Sequence, residues 1–224
     1  ASLAPPDASA VRLRAWTLGA PDRVMTRDAL LTTIARRCAE LPPGRWGAFY
    51  RLNERACGGY PTLDELDAAG GGRPVFILRT DGHLGLANRA AFAACGIGAD
   101  TPDPPFGRFD RLEDGRFTGL VRETAAHVFL GAIHGQDSEA DIAAGMEMVQ
   151  DQCLAAGITS VANSLCPSKA IRAYQHMRRE GLWRMRMGII ASGRDAPLIP
   201  HLIGAGIRSG FGDEWLRLVG VEWC

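Results

Sequence analysis

The sequence predicts an α/β protein in two parts, and three observations carry that expectation. From residue 138 onward, helical and strand patterns alternate as α-β-α-β-α-β, which is the signature of a parallel sheet with crossover helices. Before that point the chain is rich in Gly and Pro and holds only scattered helix and strand signals, so residues 1–137 are expected to form a separate α+β subdomain. The 224 residues are 46% hydrophobic and 22% charged, a globular composition with enough chain to bury a core.

Taken in order, Thr26 is placed to cap a helix whose apolar positions are Leu30, Leu31, Ile34 and Cys38, ending before Pro42 and Pro43. Pro74 to Leu78 reads as a short buried strand, and Ala87 to Cys95 as a helix stopped by Gly96. The three prolines of Thr101–Gly107 remove donors and restrict their neighbours, which excludes regular structure there. Phe109 to Leu120 reads as a hairpin around Asp114-Gly115. Ser138, with Asp141 three residues on, opens a helix through Ile142, Met146, Val149 and Leu154, and Gly157 closes it. Ile158 to Val161 is a β-branched strand. Pro167 opens a helix running to Glu180, with Gly181 as its stop. A strand over Arg184 to Ile190, a short helix over Pro197 to Ala205 and a strand over Trp215 to Val221 complete the series. Three parallel strands with helices on one side would leave an open edge and half a core.

Several functions are excluded or disfavoured. Lys+Arg and Asp+Glu are both 25, so bulk charge gives no footprint for nucleic acid. No apolar run reaches membrane-spanning length, and the first residues show no basic-then-apolar leader. The six cysteines have wide, irregular spacings with no C-x-x-C pair. They are expected as reduced, mostly buried thiols in a cytoplasmic protein. No H-E-x-x-H, Walker A or G-x-S-x-G motif occurs. The glycines from Gly204 to Gly210 precede a strand rather than follow one, so they read as a loop and not a dinucleotide site. No two of the five histidines form H-x-H, and a site built only from them lacks the convergence a metal needs. Lys169 is the only lysine, so amine chemistry has one possible residue.

The concentrated signal is Arg79-Thr80-Asp81-Gly82-His83, directly after a strand, with Asn88 five residues on. Two readings fit it. One is a plain turn in which Asp81 bonds local amides and His83 is exposed. The other is an acid and an imidazole presented at a strand end for chemistry.

Residues 61–67, Arg73-Pro74-Val75-Phe76, Arg79 to His83, Asn88, Gly96-Ile97, Thr101 to Pro105, Gly107-Arg108, Asp114-Gly115, Thr118 to Leu120 and Glu123, followed by Gly157 to Val161, Arg184 to Arg186 and Phe211 to Val221, together resemble the metal-dependent amidohydrolase superfamily. Within it they resemble the YtcJ-like subgroup that includes N-substituted formamide deformylases. The resemblance covers roughly Trp46 to Cys224. It implies a partial TIM (β/α)8 barrel, with residues 138–224 as strands 2 to 4 and residues 1–137 as an insertion after strand 1. A complete barrel needs roughly 250 residues. The family's His-x-His would therefore precede Ala1, and strands 5 to 8, with two histidines and an aspartate, would follow Cys224.

What the resemblance implies for function is metal-assisted hydrolysis of an amide or formamide C–N bond, with one or two divalent ions, zinc first, activating water. His83 would be catalytic and, with Arg79 and Asp81, would contact substrate, Asp81 holding the imidazole or the turn. Glu222 occupies the position of the family's carboxylated lysine and would be a metal ligand in its place, since both present a carboxylate. Glu123 matches a family position and reads as structural. Arg51-Leu52-Asn53 departs from the family's usual Gly-Trp-Asp. The implied partners are a small amide-type substrate and further copies of the chain or the rest of the barrel, with no nucleic acid and no membrane. The second hypothesis is non-enzymatic: a half-barrel subunit acting as a binding module.

Overall fold

A computed structural model describes residues 15–17, 26–55 and 57–223. The chain divides into two compact units, one of them Ser9–Gln136 and the other containing Asp137–Cys224.

In the first unit the elements run β1 (Ala15–Thr17), α1 (Arg27–Glu40), β2 (Gly47–Leu52), α2 (Leu63–Gly70), β3 (Val75–Arg79), β4 (Leu84–Ala87), α3 (Arg89–Ala94), β5 (Gly107–Arg111), β6 (Phe117–Glu123) and α4 (Thr124–Gly135). The strands form one sheet in the order β1-β2-β3-β4-β6-β5. β1, β2 and β3 are parallel, and the remaining pairings are antiparallel. Val75, Phe76 and Ile77 are all buried, and alternate residues serve opposite faces. Val75, Ile77, Leu84 and Leu86 pack with Leu30 and Ile34 of α1 and Leu66 of α2. Phe76 and Ala87 pack with Phe92 of α3 and Phe129 of α4. The sheet is thus covered on both faces. At Gly85 a side chain would meet the Phe76 ring at 2.4 Å, so the aromatic layer requires glycine there.

This unit is more regular than the Gly- and Pro-rich sequence predicts. Thr26 caps α1 as expected, accepting from the Ala29 amide. The Asp114-Gly115 hairpin forms between β5 and β6. The helix expected from Ala87 starts two residues later, because Ala87 pairs with Phe76 in the sheet and Asn88 takes the cap. β2, α2 and β4 give short or mixed patterns in sequence, and tertiary packing decides them.

The second unit contains α5 (Glu139–Ala155), β7 (Ser160–Cys166), α6 (Ser168–Arg179), β8 (Arg186–Ser192), α7 (Leu198–Gly204) and β9 (Leu216–Glu222). Its three strands are parallel in the order β7-β8-β9. Met187, Ile189, Leu216 and Leu218 bury one face against Ala173, Tyr174 and Met177 of α6. On the opposite face Ala162, Gly188 and Val219 lie together, and Ala162 and Val219 are exposed. The alternation matches the predicted series, but β7 extends past Val161 to Cys166 and β8 past Ile190 to Ser192. The polar end of β7 is held by side chains: Asn163 Nδ2 donates to the Tyr174 hydroxyl at 2.9 Å, and the Ser164 hydroxyl donates to Glu222. Parallel α/β architecture is confirmed, and three strands leave the sheet unclosed within these residues.

Cys38 and Cys166 are buried. Burial pushes their thiols up to about 11 and about 12, which leaves them unreactive packing groups as expected. Among the described residues no helix is long and apolar enough to cross a membrane.

Candidate functional site

One end of the six-stranded sheet collects the predicted residues. The C-terminal ends of β2, β3 and β6 meet the N-terminal ends of β4 and β5 there, because parallel and antiparallel neighbours alternate in direction. Arg79 closes β3. The chain then turns through Gly82, whose φ of 79° lies in the left-handed region that glycine adopts freely. It re-enters the sheet at Leu84. Thr80 ties the turn to β2, its N–H and hydroxyl both donating to the Leu52 carbonyl, at 3.3 and 3.0 Å.

Arg79 is held as a fork. Its Nε and Nη2 donate to the two carboxylate oxygens of Glu54 at 2.9 and 2.6 Å, and its Nη1 donates to Asp81 at 2.6 Å. Hydrogen bonds from this guanidinium hold the Glu54 carboxyl below its ordinary value and push Arg79 further up. Asp81 also accepts from the His83 N–H at 3.2 Å, so it shapes the turn that presents the imidazole. His83 Nδ1 lies 2.9 Å from a carboxylate oxygen of Glu123. An ionised carboxylate only accepts, so Nδ1 carries the proton, and in the neutral ring Nε2 is the basic nitrogen. This hydrogen bond, reinforced by the Glu123 charge, raises the His83 pKa. The His83 and Glu123 side chains are 69% and 56% exposed, so the pair faces outward.

The backbone around this pair is strained. Among the described residues four non-glycine residues have positive φ: Arg51, Phe106, Glu123 and Leu165. Arg51, at a bulge in β2, stands where the resemblance expects glycine; its φ of 66° explains why glycine would suit the position. Glu123, at φ 50°, donates its N–H to the His83 carbonyl at 2.9 Å. Strain of this kind persists where surrounding contacts over-determine it, and functional sites are where it concentrates. Leu165 lies in the irregular stretch of β7 beside Ser164.

The structure places Arg79, Asp81 and His83 on one turn, where Asp81 bonds the His83 amide and the imidazole is exposed, the arrangement that the plain-turn reading describes. Sequence reasoning did not single out Glu54, and it took Glu123 as structural. Only the family position signals Glu123 in the sequence, because 40 residues separate it from its histidine. Glu222 belongs to the other unit, at the C-terminal end of β9, half-buried and accepting from Ser164. Among the described residues no three His, Cys, Asp or Glu side chains converge on a metal position. Glu222 alone is one carboxylate ligand, short of the three or four protein ligands that hold zinc. A cleft of about 790 Å³ lined by Leu63, Arg89, Phe92, Phe117 and Leu120, among others, contains none of Arg79, Asp81, His83 and Glu123.

Comparison with known proteins identifies the lineage. A sequence profile described as the Amidohydrolase family matches residues 7–221. N-substituted formamide deformylase of Arthrobacter pascens is 32% identical over 161 residues, 70% of this chain and 30% of that protein. Putative amidohydrolase YtcJ of Bacillus subtilis is 32% identical over 110 residues, 48% of this chain and 21% of that protein. An uncharacterized metal-dependent hydrolase from Pyrococcus horikoshii shares the fold with a TM-score of 0.63 at 21% identity, covering 96% of this chain and 40% of that one. This chain therefore spans about a third or less of the length of these curated relatives. With the profile running through both units, from the turn that carries His83 to the strand that leads to Glu222, the chain belongs to the amidohydrolase family.

Proposed function

We propose that the protein hydrolyses an amide-type C–N bond, with an N-substituted formamide as the first substrate class to try. The observation that carries this reading is the His83–Glu123 pair, built on a strained sheet end in a chain of this family. His83 is the group that meets substrate. With Nδ1 committed to Glu123, Nε2 can accept a proton from, or once protonated donate one to, the amide or its leaving nitrogen. Arg79 and Asp81 orient the turn so that the imidazole is presented in one pose. β7 to β9 supply consecutive strands of a TIM-type barrel whose other strands lie outside these residues.

Glu222 is this chain's contribution to a divalent metal site, zinc being the first ion to test. The described residues do not make that site complete, so no catalytic step is derived through it. The protein is read as working on a small molecule in the cytoplasm.

The test is amine release from a panel of N-substituted formamides by the full-length protein, before and after chelation and zinc re-addition. His83→Ala is expected to lower kcat/KM by about a hundredfold or more, and Glu222→Gln to lower the bound metal measured by elemental analysis. A protein that takes up no metal on zinc re-addition and turns over no amide under any of these conditions would overturn the reading and favour the non-catalytic binding module.

A further inference from the structure

The three parallel strands of the second unit are irregular near their C-terminal ends, and the irregularities match. In β7, Asn163 pairs with Ile189 and Cys166 with Ala191, so Ser164 and Leu165 together stand opposite Ile190. In β9, Leu218 pairs with Ile189 and Gly220 with Ile190, which leaves Val219 as the additional residue. Both neighbours of β8 therefore carry an extra residue at the same level. Bulges are rare between parallel strands, and they serve to re-aim a side chain or to end the pairing. Leu165 absorbs the first of them with a φ of 50°, a conformation that a bulky residue keeps only under constraint.

The two bulges lead to one contact. The Ser164 hydroxyl, on β7, donates to Oε2 of Glu222, on β9, across the intervening β8. The backbone of Glu222 is fixed as well. Its carbonyl accepts from the Gly193 N–H at 2.8 Å, and the Trp223 ring lies so near Gly193 that a side chain there would meet it at 2.5 Å. The carboxylate is thus anchored through its main chain and through one oxygen. Among the described residues its other oxygen, Oε1, accepts no hydrogen bond. A carboxylate held on one side and open on the other, at the C-terminal end of a parallel strand, fits the donor chemistry of a divalent ion.

We infer that Ser164 is a positioning residue for the metal site, its hydroxyl holding the Glu222 carboxylate so that Oε1 is left for the ion. The inference rests on the reading of Glu222 as a metal ligand given above. An unrestrained glutamate loses rotamer freedom when it ligates, and Ser164 removes part of that freedom beforehand. Ligating carboxylates are themselves hydrogen-bonded, and loss of such a partner weakens metal binding about 10- to 100-fold.

The experiment measures zinc affinity of the full-length protein by competition with a chromophoric chelator, and the melting temperature of the chelated, metal-free protein. Ser164→Ala is expected to weaken zinc binding about 10- to 100-fold while the metal-free melting temperature stays unchanged. Ser164→Thr keeps the hydroxyl and should bind zinc within about threefold of the parent. Glu222→Gln, which removes the ligand's charge, should weaken binding at least as much as Ser164→Ala. If Glu222→Gln weakens binding and Ser164→Ala does not, the inference falls and the metal reading stands. A lowered metal-free melting temperature with zinc affinity unchanged would make Ser164 a tie between strands, and also overturns the inference. If zinc affinity is the same in the parent and in Glu222→Gln, or the parent binds none, the metal reading falls and the inference falls with it.

Discussion

At the scale of single residues, the chemistry of the site turns on which proton sits where. Glu123 fixes the imidazole of His83 with Nδ1–H toward the carboxylate and raises its pKa above the ordinary 6.5. A group whose pKa is raised on folding stabilises the fold fully below its unfolded value, and that contribution fades as pH rises through the folded value. Replacing Glu123 by Gln removes the charge while keeping an acceptor. The midpoint of His83, followed by NMR of its ring, is expected to fall towards the ordinary value. An unchanged midpoint would mean that the pair does not persist in solution. This contact is invisible along the chain. Asp-Gly-His marks the turn locally, whereas Glu123 and Glu54 reach it only through strand pairing and loop packing, at separations of 40 and 25 residues.

At the scale of elements, Asn88 joins a strand to a helix. Its Oδ1 accepts from the Val75 amide at 2.9 Å and the Ala91 amide at 3.0 Å, and its Nδ2 donates to the Arg73 carbonyl at 2.9 Å. Because the residue is 1% exposed, no water replaces these bonds. Asn88→Ala strands buried backbone amides and removes a cap, so it is expected to cost about 3 kcal/mol in urea unfolding. A loss under about 1 kcal/mol would mean that the neighbours re-pair without it. Elements with strong local punctuation were readable from sequence: α1 by Thr26, α5 by its Ser138–Asp141 capping box, α6 by Pro167, and the β5–β6 hairpin by Asp114-Gly115. β2 and β4 were not. Their burial on both faces erases alternation, and Gly85 is a weak strand former that is present because Phe76 covers it.

At the scale of the whole molecule, the two units solve burial differently. The sheet of β1 to β6 lies between helices on both faces, whereas β7 to β9 bury one face and leave Ala162 and Val219 exposed on the other. If that open face is the inside of a barrel, Val219→Glu puts an unpaired charge in a buried place and is expected to cost about 3 kcal/mol or more in chemical denaturation of the protein. A change of no more than about 0.5 kcal/mol would place the face outside any core. The same contrast sets an order of events on the ribosome. The sandwiched sheet has its helical covers close at hand as it emerges, so it can reach its native state during synthesis. The three parallel strands emerge after it with one side bare, and because Arg186, Arg217 and Glu222 share that side with Val219, whatever covers it must answer charge as well as apolar surface.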